Sequence, residues 1–261
     1  MKKLLKSLSK PLWAAMHNFY NFPCESPTLW RLQDFFNRWA VRFDPPTFKV
    51  AADSKQFQEI MARSTGLTDL SDHLAILFKE SLSSKPELIV ELGVGQGESL
   101  FVFERVAQIC QSKIISVDIV DCNSVGSYDN WFFVQDNDTL FARKFDEWCK
   151  ERSIIPDIDI LFVDTSHCYE HTCEEIRLWF PYLSKRAKVF FHDTNLKRLY
   201  FRKNYTVGLG WNNNRGVIRA LEDYFQTSFN EKKDFITILQ GWIITHYSHC
   251  NGLTILERMP S

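Results

Sequence analysis

The 261-residue sequence has no excess of charge, since 31 Lys and Arg stand against 32 Asp and Glu, for a formal net charge of −1. A protein whose main task is to bind nucleic acid normally has a strong basic excess, so we expect no nucleic-acid partner. Internal repeats and low-complexity tracts are also lacking. Hydrophobic residues make up 45% of the chain, with 22 Phe and 8 Trp, which favours a folded protein with a sizeable core.

Paired cysteine motifs are absent. The seven cysteines are odd in number and scattered, and no two are separated by only two residues. This pattern is typical of reduced thiols in a cytosolic protein rather than of a disulfide framework. We therefore expect a cytoplasmic location.

Long hydrophobic runs are absent too, and no window approaches the length of a membrane span. Near the N-terminus, Pro11 interrupts an apolar run that is too short for a secretory signal. Apolar residues recur there at every fourth position, with lysines nearby: Leu4, Leu8, Leu12, Met16 and Tyr20. This amphipathic pattern predicts a helix that packs on its own domain or on a second subunit of a homodimer. Membrane contact through the basic helix is the less favoured alternative.

Short apolar runs alternate with helical stretches after residue 85. The runs are continuous rather than alternating in polarity, as expected of parallel strands buried on both faces; they cover residues 87–92, 113–119, 130–136, 157–164 and 187–193. Asn251-Gly252 predicts a hairpin near the C-terminus. The predicted fold is a doubly wound α/β domain over residues 81–261, with a seven-stranded, mostly parallel sheet, an antiparallel C-terminal hairpin, and a helical N-terminal cap over residues 1–80.

The turn after the first strand reads "ELGVGQGES", with glycines at 93, 95 and 97. A dinucleotide fingerprint needs glycine where Glu98 stands, and a phosphate-binding P-loop needs a lysine that is missing. Glu98 at the start of the helix would also repel a pyrophosphate. The turn therefore favours a ligand that has a cationic group and no phosphate, which Glu91 could help to hold.

The pattern E-x-G-x-G-x-G resembles motif I of the class I S-adenosylmethionine-dependent methyltransferases, and the resemblance covers roughly residues 85–258. It implies S-adenosylmethionine as cofactor. In that family an acid after the second strand, here Asp118, binds the ribose hydroxyls, and an acid after the third, here Asp136, meets the adenine. The implied cofactor residues are Glu91, Gly93, Gly95, Gly97, Ser99, Asp118, Asp136 and Asp164.

The ends of the fourth and fifth runs, "VDTSHCYEH" and "FFHDT", resemble the macrocin O-methyltransferase and cephalosporin-hydroxylase-like enzymes. That subgroup acts on small molecules and sugars, which implies methyl transfer to a hydroxyl group in natural-product or glycan biosynthesis. The resemblance implies a divalent metal, Mg²⁺ or Mn²⁺, at Asp164, His192 and Asp193, with His167 as base and Asp164 and His192 as further catalytic groups. His192 replaces the acid of the metal-dependent members, which leaves open whether it is a ligand.

The loop "GWNNNRG" follows the fifth run, in the region that borders the acceptor pocket of the resembling enzymes. Its ring and polar groups suit a sugar, so we expect acceptor contacts from Trp211, Asn212, Asn213 and Arg215. The alternative is an ordinary surface loop. For His167 the alternative is a role that only caps the following helix, and for "HCYEHTC" the less favoured alternative is a zinc cluster.

Two other functions stay open at this point. One is a binding protein that keeps the fold and the cofactor but has no activity. The other is a nicotinamide-dependent oxidoreductase, which Glu98 disfavours because it occupies the place of the third glycine.

Overall fold

Helices and strands alternate along the chain from residue 88, as predicted. The computed structural model describes residues 54–203 and 206–259, which belong to one compact unit, residues 51–261. Helices cover α1 (Lys55–Arg63), α2 (Leu74–Ser84), α3 (Glu98–Cys110), α4 (Asp138–Ala142), α5 (Phe145–Glu151), α6 (Tyr169–Trp179) and α7 (Gly216–Phe225). Strands cover β1 (Leu88–Leu92), β2 (Lys113–Asp118), β3 (Trp131–Gln135), β4 (Ile158–Val163), β5 (Leu183–His192), β6 (Leu199–Phe201), β7 (Val207–Leu209), β8 (Phe235–Leu239), β9 (Trp242–Tyr247) and β10 (Leu253–Arg258).

The main sheet has the strand order β3-β2-β1-β4-β5-β10-β9-β8. Strands β1 to β5 are mutually parallel, and β10, β9 and β8 continue the sheet in antiparallel pairs. The order reverses between β1 and β4, and ligands of open α/β sheets bind in the crevice at such a reversal. The doubly wound, mostly parallel sheet with an antiparallel C-terminal end is confirmed.

Both faces of the sheet are buried, which explains the continuous apolar runs. Along β1, Leu88, Val90 and Leu92 pack on one face, with α4 to α7. Ile89 faces the other way, into a second core with α1, α2 and α3. Each parallel strand therefore needs apolar side chains in both directions, and a charged residue on such a strand, such as Glu91, must find a polar partner.

The sheet has eight strands in the described residues, one more than the seven predicted. The additional strand arises within the apolar segment 234–247, where Gln240 and Gly241 have φ values of 50° and 80° and form a tight turn. Strands β8 and β9 pair across this turn, from Leu239 with Trp242 to Phe235 with His246. The antiparallel end of the sheet is therefore a three-stranded meander rather than a single hairpin.

Three helix ends have local causes. Helix α2 begins after His73, which is its N-cap residue. Helix α6 ends at Trp179, because Pro181 lies in a short 3₁₀ turn that leads directly into β5. Helices α4 and α5 are separated at Lys144, whose φ is −116°.

The predicted N-terminal amphipathic helix lies outside the described residues, and the domain boundary at residue 80 stays a prediction. No helix in the described ranges combines the length and the hydropathy that crossing a bilayer would require. Helices α1 and α2 lie against the sheet face that carries α3, with Phe57 and Phe78 in ring contact at 5.9 Å.

Candidate active site

The glycine turn at the end of β1 lies directly against the end of β4. The N–H of Gly93 donates to the carbonyl of Val117 at 2.9 Å, and Gly93 has a φ of 87°. A β-carbon on Gly93 would lie 2.1 Å from the carbonyl oxygen of Asp164. Only glycine permits this approach, so the turn and the loop after β4 share one corner. Gly97 has a φ of 78° and is the N-cap residue of α3.

Asp118 ends β2 and binds the backbone of the glycine turn. Its Oδ2 accepts hydrogen bonds from the N–H groups of Val94 (2.8 Å) and Gly95 (3.1 Å), and its Oδ1 accepts from Val120 (2.9 Å). Burial acts to raise the pKa of Asp118, but these backbone bonds lower it below its ordinary value. The carboxylate therefore stays ionised, and its remaining lone pairs can still accept from the two hydroxyls of a ribose.

Glu91 lies inside β1 and is fully buried. Its Oε2 accepts from Ser116 Oγ at 2.5 Å, while its Oε1 has no hydrogen-bond partner. Burial raises the pKa of Glu91 to about 7, although hydrogen bonds from Ser116 and Ser99 act to lower it. A buried carboxyl with an unused oxygen beneath the glycine turn suits a cationic ligand, which would favour its ionised form.

Asp136 lies after β3, at the same edge of the sheet. Its Oδ1 accepts from the N–H of Asn137 at 2.8 Å, and its Oδ2 forms an ion pair with Lys144 at 2.5 Å. Asn137 in turn is the N-cap residue of α4, where its side chain accepts from Thr139 and Leu140. The predicted adenine contact thus stands at the start of a capped helix.

Four predicted site residues meet at the ends of β4 and β5. His192 Nδ1 lies 3.1 Å from Asp164 Oδ1 and 3.4 Å from Asp193 Oδ1. His167 Nδ1 lies 3.4 Å from Asp193 Oδ2 and 3.7 Å from Asp164 Oδ1. Each imidazole therefore faces both carboxylates.

Two of these residues have left-handed backbone conformations, with φ values of 55° at His167 and 56° at Asp193. Such conformations are uncommon for residues other than glycine, and they concentrate at functional sites. Close packing surrounds the His167 loop, because a β-carbon on Gly216 would lie 2.5 Å from the carbonyl oxygen of His167. Nothing in the residue pattern indicated this backbone feature.

His192 is fully buried, with 1% of its side chain exposed. Burial alone would lower its pKa, but the carboxylates of Asp164 and Asp193 raise the pKa of His192 to about 10. In return, the charge and hydrogen bond of His192 lower the pKa of Asp164 against the effect of burial. Asp193 has its pKa raised to about 6, first by burial. In its protonated form, His192 is a counter-ion to Asp164.

The side chains that can share a metal ion are Asp164, His167 and Asp193. One ligand atom of each lies within 4.8 Å of the others. The Oδ1 of Asp193 is buried without a hydrogen-bond partner, and two carboxylates with one imidazole fit Mg²⁺ or Mn²⁺. This group shares Asp164 and Asp193 with the predicted set and adds His167; the predicted role of His192 as a ligand stays a prediction.

A second cluster of polar side chains, which the sequence reasoning missed, supports the loop after β4. His171 Nε2 lies 2.9 Å from Asp138 Oδ1 and 3.7 Å from Glu175 Oε1. Thr165, next to Asp164, donates its hydroxyl to Glu175 at 2.6 Å. Burial and the charge of Asp138 raise the pKa of Glu175 to about 8. The only sequence signal was the i, i+4 spacing of His171 and Glu175 on α6.

In the described residues, neither metal-ligating group contains a cysteine. Cys168 is exposed at the start of α6, and Cys173 is half-buried within that helix. The alternative zinc cluster thus has no geometry to support it.

The predicted acceptor loop contributes residues of different kinds. Trp211 is 46% exposed, and its ring lies 6.0 Å from that of His167. Asn213 is buried, and its Nδ2 donates to the carbonyl groups of His167 (3.3 Å) and Asp193 (3.5 Å).

Asn212 is exposed and accepts from the N–H of Asn214. The guanidinium of Arg215 is already bound by Glu222 and Glu231. Trp211 and Asn212 are therefore free to face an acceptor, whereas Asn213 holds the two site loops together.

Residues 90–194 match a family model described as a methyltransferase domain. No curated protein sequence matches the chain. Together with the fold, the family match confirms the resemblance to class I methyltransferases that the sequence predicted.

Solved structures with the same fold support this class. MycE, a methyltransferase of the mycinamycin biosynthetic pathway solved with Mg, SAH and mycinamycin VI, is 17% identical with a TM-score of 0.50; the alignment covers 80% of this chain and 54% of that one. The chain thus spans about half the length of MycE. The Podospora anserina methyltransferase PaMTH1, solved with SAH, is 11% identical with a TM-score of 0.51, covering 92% of this chain and 98% of that one. TomG, an O-methyltransferase of tomaymycin synthesis from Streptomyces achromogenes solved with SAM, is 13% identical with a TM-score of 0.50, covering 80% and 91%. At these identities the likeness concerns the fold.

The buried carboxyl of Glu91 makes stability depend on pH. Its pKa is about 7 in the folded protein against an ordinary value of 4.5, so the folded state binds this proton more tightly. Wild-type stability therefore falls as the pH rises from about 4.5 to about 7. Glu91→Gln removes this loss. The unfolding free energy of the variant minus that of wild type should therefore increase by on the order of 3 kcal/mol between pH 5 and pH 8.

Urea unfolding at pH 5, 6.5 and 8 measures this difference. Glu147→Gln, at an exposed position of α5, is the matched control and should show no such trend. A difference between Glu91→Gln and wild type that is the same at all three pH values would contradict the prediction.

Proposed function

We propose that the protein is an S-adenosylmethionine-dependent methyltransferase that transfers a methyl group to a hydroxyl of a small molecule or sugar. The observation that carries this proposal is the shared corner at Gly93 and Asp164. A turn suited to a cationic, phosphate-free ligand meets there a cluster of carboxylates and imidazoles. A methyl donor and a deprotonating group need this proximity, because transfer requires the two reactants to be held about 3 Å apart and aligned.

The cofactor-binding residues would act through shape and charge. Gly93, Gly95 and Gly97 have no side chains, so a ligand can approach the backbone of the turn at these three positions. Asp118 is ionised and can accept from the ribose hydroxyls, while Asp136 stands at the predicted adenine position. The negative charge of Glu91, once ionised, and of Asp164 favours a sulfonium and an ammonium group at this edge.

His167 is proposed as the base that takes the proton of the acceptor hydroxyl. Its Nδ1 faces the carboxylates of Asp193 at 3.4 Å and Asp164 at 3.7 Å, which would stabilise the imidazolium formed by proton transfer. The exposed ring of Trp211 lies beside His167 and offers a flat surface to an acceptor.

A divalent metal is part of the proposal, because Asp164, His167 and Asp193 offer ligand atoms within 4.8 Å of one another. When bound, such an ion lowers the pKa of a hydroxyl group. His167 has one role at a time: its Nδ1 either binds the ion or takes part in proton transfer. The buried His192 cation balances part of the carboxylate charge in both cases.

Two alternatives are disfavoured by particular residues. An inactive protein of this fold would be expected to lose the cluster of Asp164, His167 and Asp193, and this chain keeps all three residues close together. A nicotinamide-dependent oxidoreductase would need glycine in place of Glu98, whose carboxylate instead pairs with Arg63 at 2.6 Å. A cytoplasmic location and a homodimer stay predictions.

Cofactor binding is the first test. The protein should bind S-adenosylmethionine and S-adenosylhomocysteine in calorimetry, and NAD should not bind. Asp118→Ala removes the proposed ribose acceptor and the anchor of the glycine turn, so we expect affinity for S-adenosylhomocysteine to fall by about 10²-fold. Asp121→Ala, at an exposed position three residues on, should keep wild-type affinity. Absence of binding by both sulfur ligands would refute the proposal.

Metal binding is tested with Mn²⁺ alone, by calorimetry on protein freed of metal by dialysis. Wild type should bind the ion, and Asp193→Asn should lose it because a neutral amide removes both a ligand and a charge. The control is His171→Ala, which disrupts the second group of possible ligands, Asp138, His171 and Glu175. If Asp193→Asn still binds Mn²⁺ and His171→Ala does not, the ion belongs to that second group and the proposed site is wrong.

Removal of the proposed base is tested on an acceptor found by the gain of one methyl group in mass spectrometry. His167→Ala should reduce kcat by about 10²–10⁴-fold, with the affinity for S-adenosylhomocysteine unchanged. A loss smaller than tenfold would reduce His167 to a residue that only shapes the start of α6.

A further inference from the structure

A cavity of about 600 Å³ adjoins the candidate active site without including its proposed metal ligands. Its walls are residues 194–197 after β5, Arg215 at the start of α7, and residues 229–232 before β8. Thr194 directly follows Asp193. The side chain of Asn213, two residues before Arg215, reaches the carbonyl oxygen of Asp193 at 3.5 Å. The cavity and the site are therefore neighbours at the carboxyl edge of the sheet.

The charges that line this cavity do not cancel. Arg215 is neutralised, because its guanidinium binds Glu231 at 3.0 Å and Glu222 at 2.9 Å. Within the stretch that the structure describes, neither Lys197 nor Lys232 has a carboxylate within 4.0 Å. The single carboxylate of the lining, Glu231, is engaged by Arg215, and in the described residues neither lysine forms an ion pair, although the charge of Glu231 interacts with both.

These two lysines repel each other. Lys197 is half-buried and Lys232 is exposed. Burial, followed by the charge of Lys232, lowers the pKa of Lys197, while the charge of Glu231 acts to raise it. The formal net charge of the chain is −1, so the pair is not a consequence of a generally basic surface. An anion between the two lysines would reduce their repulsion.

The proposal rests on the proposed function: we propose that this cavity binds a phosphate group of the methyl acceptor, with Lys197 and Lys232 as counter-charges. A phosphate monoester carries a charge of about −1.5 to −2 at pH 7, which two lysines match. A volume of about 600 Å³ lies within the range of small-molecule pockets. Phe229, stacked on Phe235 at 5.2 Å, supplies a firm apolar wall. The acceptor class is therefore a phosphate-bearing sugar or a similar hydroxyl compound.

The test uses glucose 1-phosphate and inorganic phosphate as probes, with glucose as the uncharged control, on the full chain. Calorimetry should detect both phosphate probes at millimolar concentration and much weaker binding of glucose. The double variant Lys197→Gln/Lys232→Gln should weaken phosphate binding by about tenfold or more. Lys185→Gln, an exposed position near the opposite end of β5, should leave it unchanged.

Three results would overturn the proposal: no binding of either phosphate probe to wild type, equal binding by wild type and the double variant, or an equal loss in Lys185→Gln. Binding of S-adenosylhomocysteine, measured on the same samples, separates this proposal from the function itself. The double variant should keep wild-type affinity for that ligand, which also shows that it is folded. If wild type binds phosphate but not S-adenosylhomocysteine, the proposed function fails and the anion site stands.

Discussion

The contact between Gly93 and the carbonyl group of Asp164 is the constraint on which the rest of the site depends. No side chain fits there, since a β-carbon would lie 2.1 Å from that oxygen. The contact joins the turn after β1 to the loop after β4, at the point where the strand order reverses. Asp118 then fixes the turn through Val94 and Gly95. The ligand-binding turn and the acid cluster are therefore held in one fixed relation, without any bridging side chain.

The parts of this arrangement that follow from local pattern could be predicted from the sequence. Continuous apolar runs indicated strands buried on both faces, and the acids that follow them had to meet at one edge because parallel strands share their direction. The eighth strand was not predicted because residues 234–247 look like one continuous apolar segment. Only two residues, Gln240 and Gly241, mark the turn within it.

What the sequence could not predict depends on tertiary contacts. The roles of His167 and His192 illustrate this. Both were expected near Asp164, and both lie there, but their surroundings differ. His192 is buried, and the carboxylates of Asp164 and Asp193 raise its pKa to about 10, whereas the side chain of His167 is 19% exposed. The left-handed backbones at His167 and Asp193 have no signature in residue type. The support that Glu175 gives to Thr165 likewise joins positions ten residues apart.

The electrostatics of the site follow from an excess of buried acid. The charge of Asp164 raises the pKa of both Glu91 and Asp193, and His192 balances only part of this negative charge. A cluster of this kind attracts cations, which would suit the proposed sulfonium donor and divalent ion alike. It would also repel an anion, so the phosphate of the proposed acceptor would have to be held elsewhere.

The lysine-lined cavity provides such a place. Negative charge at Asp164 and Asp193 and positive charge at Lys197 and Lys232 lie on neighbouring parts of one sheet edge. An acceptor with a phosphate and a distant hydroxyl would be attracted at one end by the lysines, while its anionic end would be repelled by the carboxylates. Only one orientation satisfies both, the one that brings the hydroxyl toward His167. Opposite charges on adjacent loops would thus select the position of methylation before any contact with the ring of the acceptor.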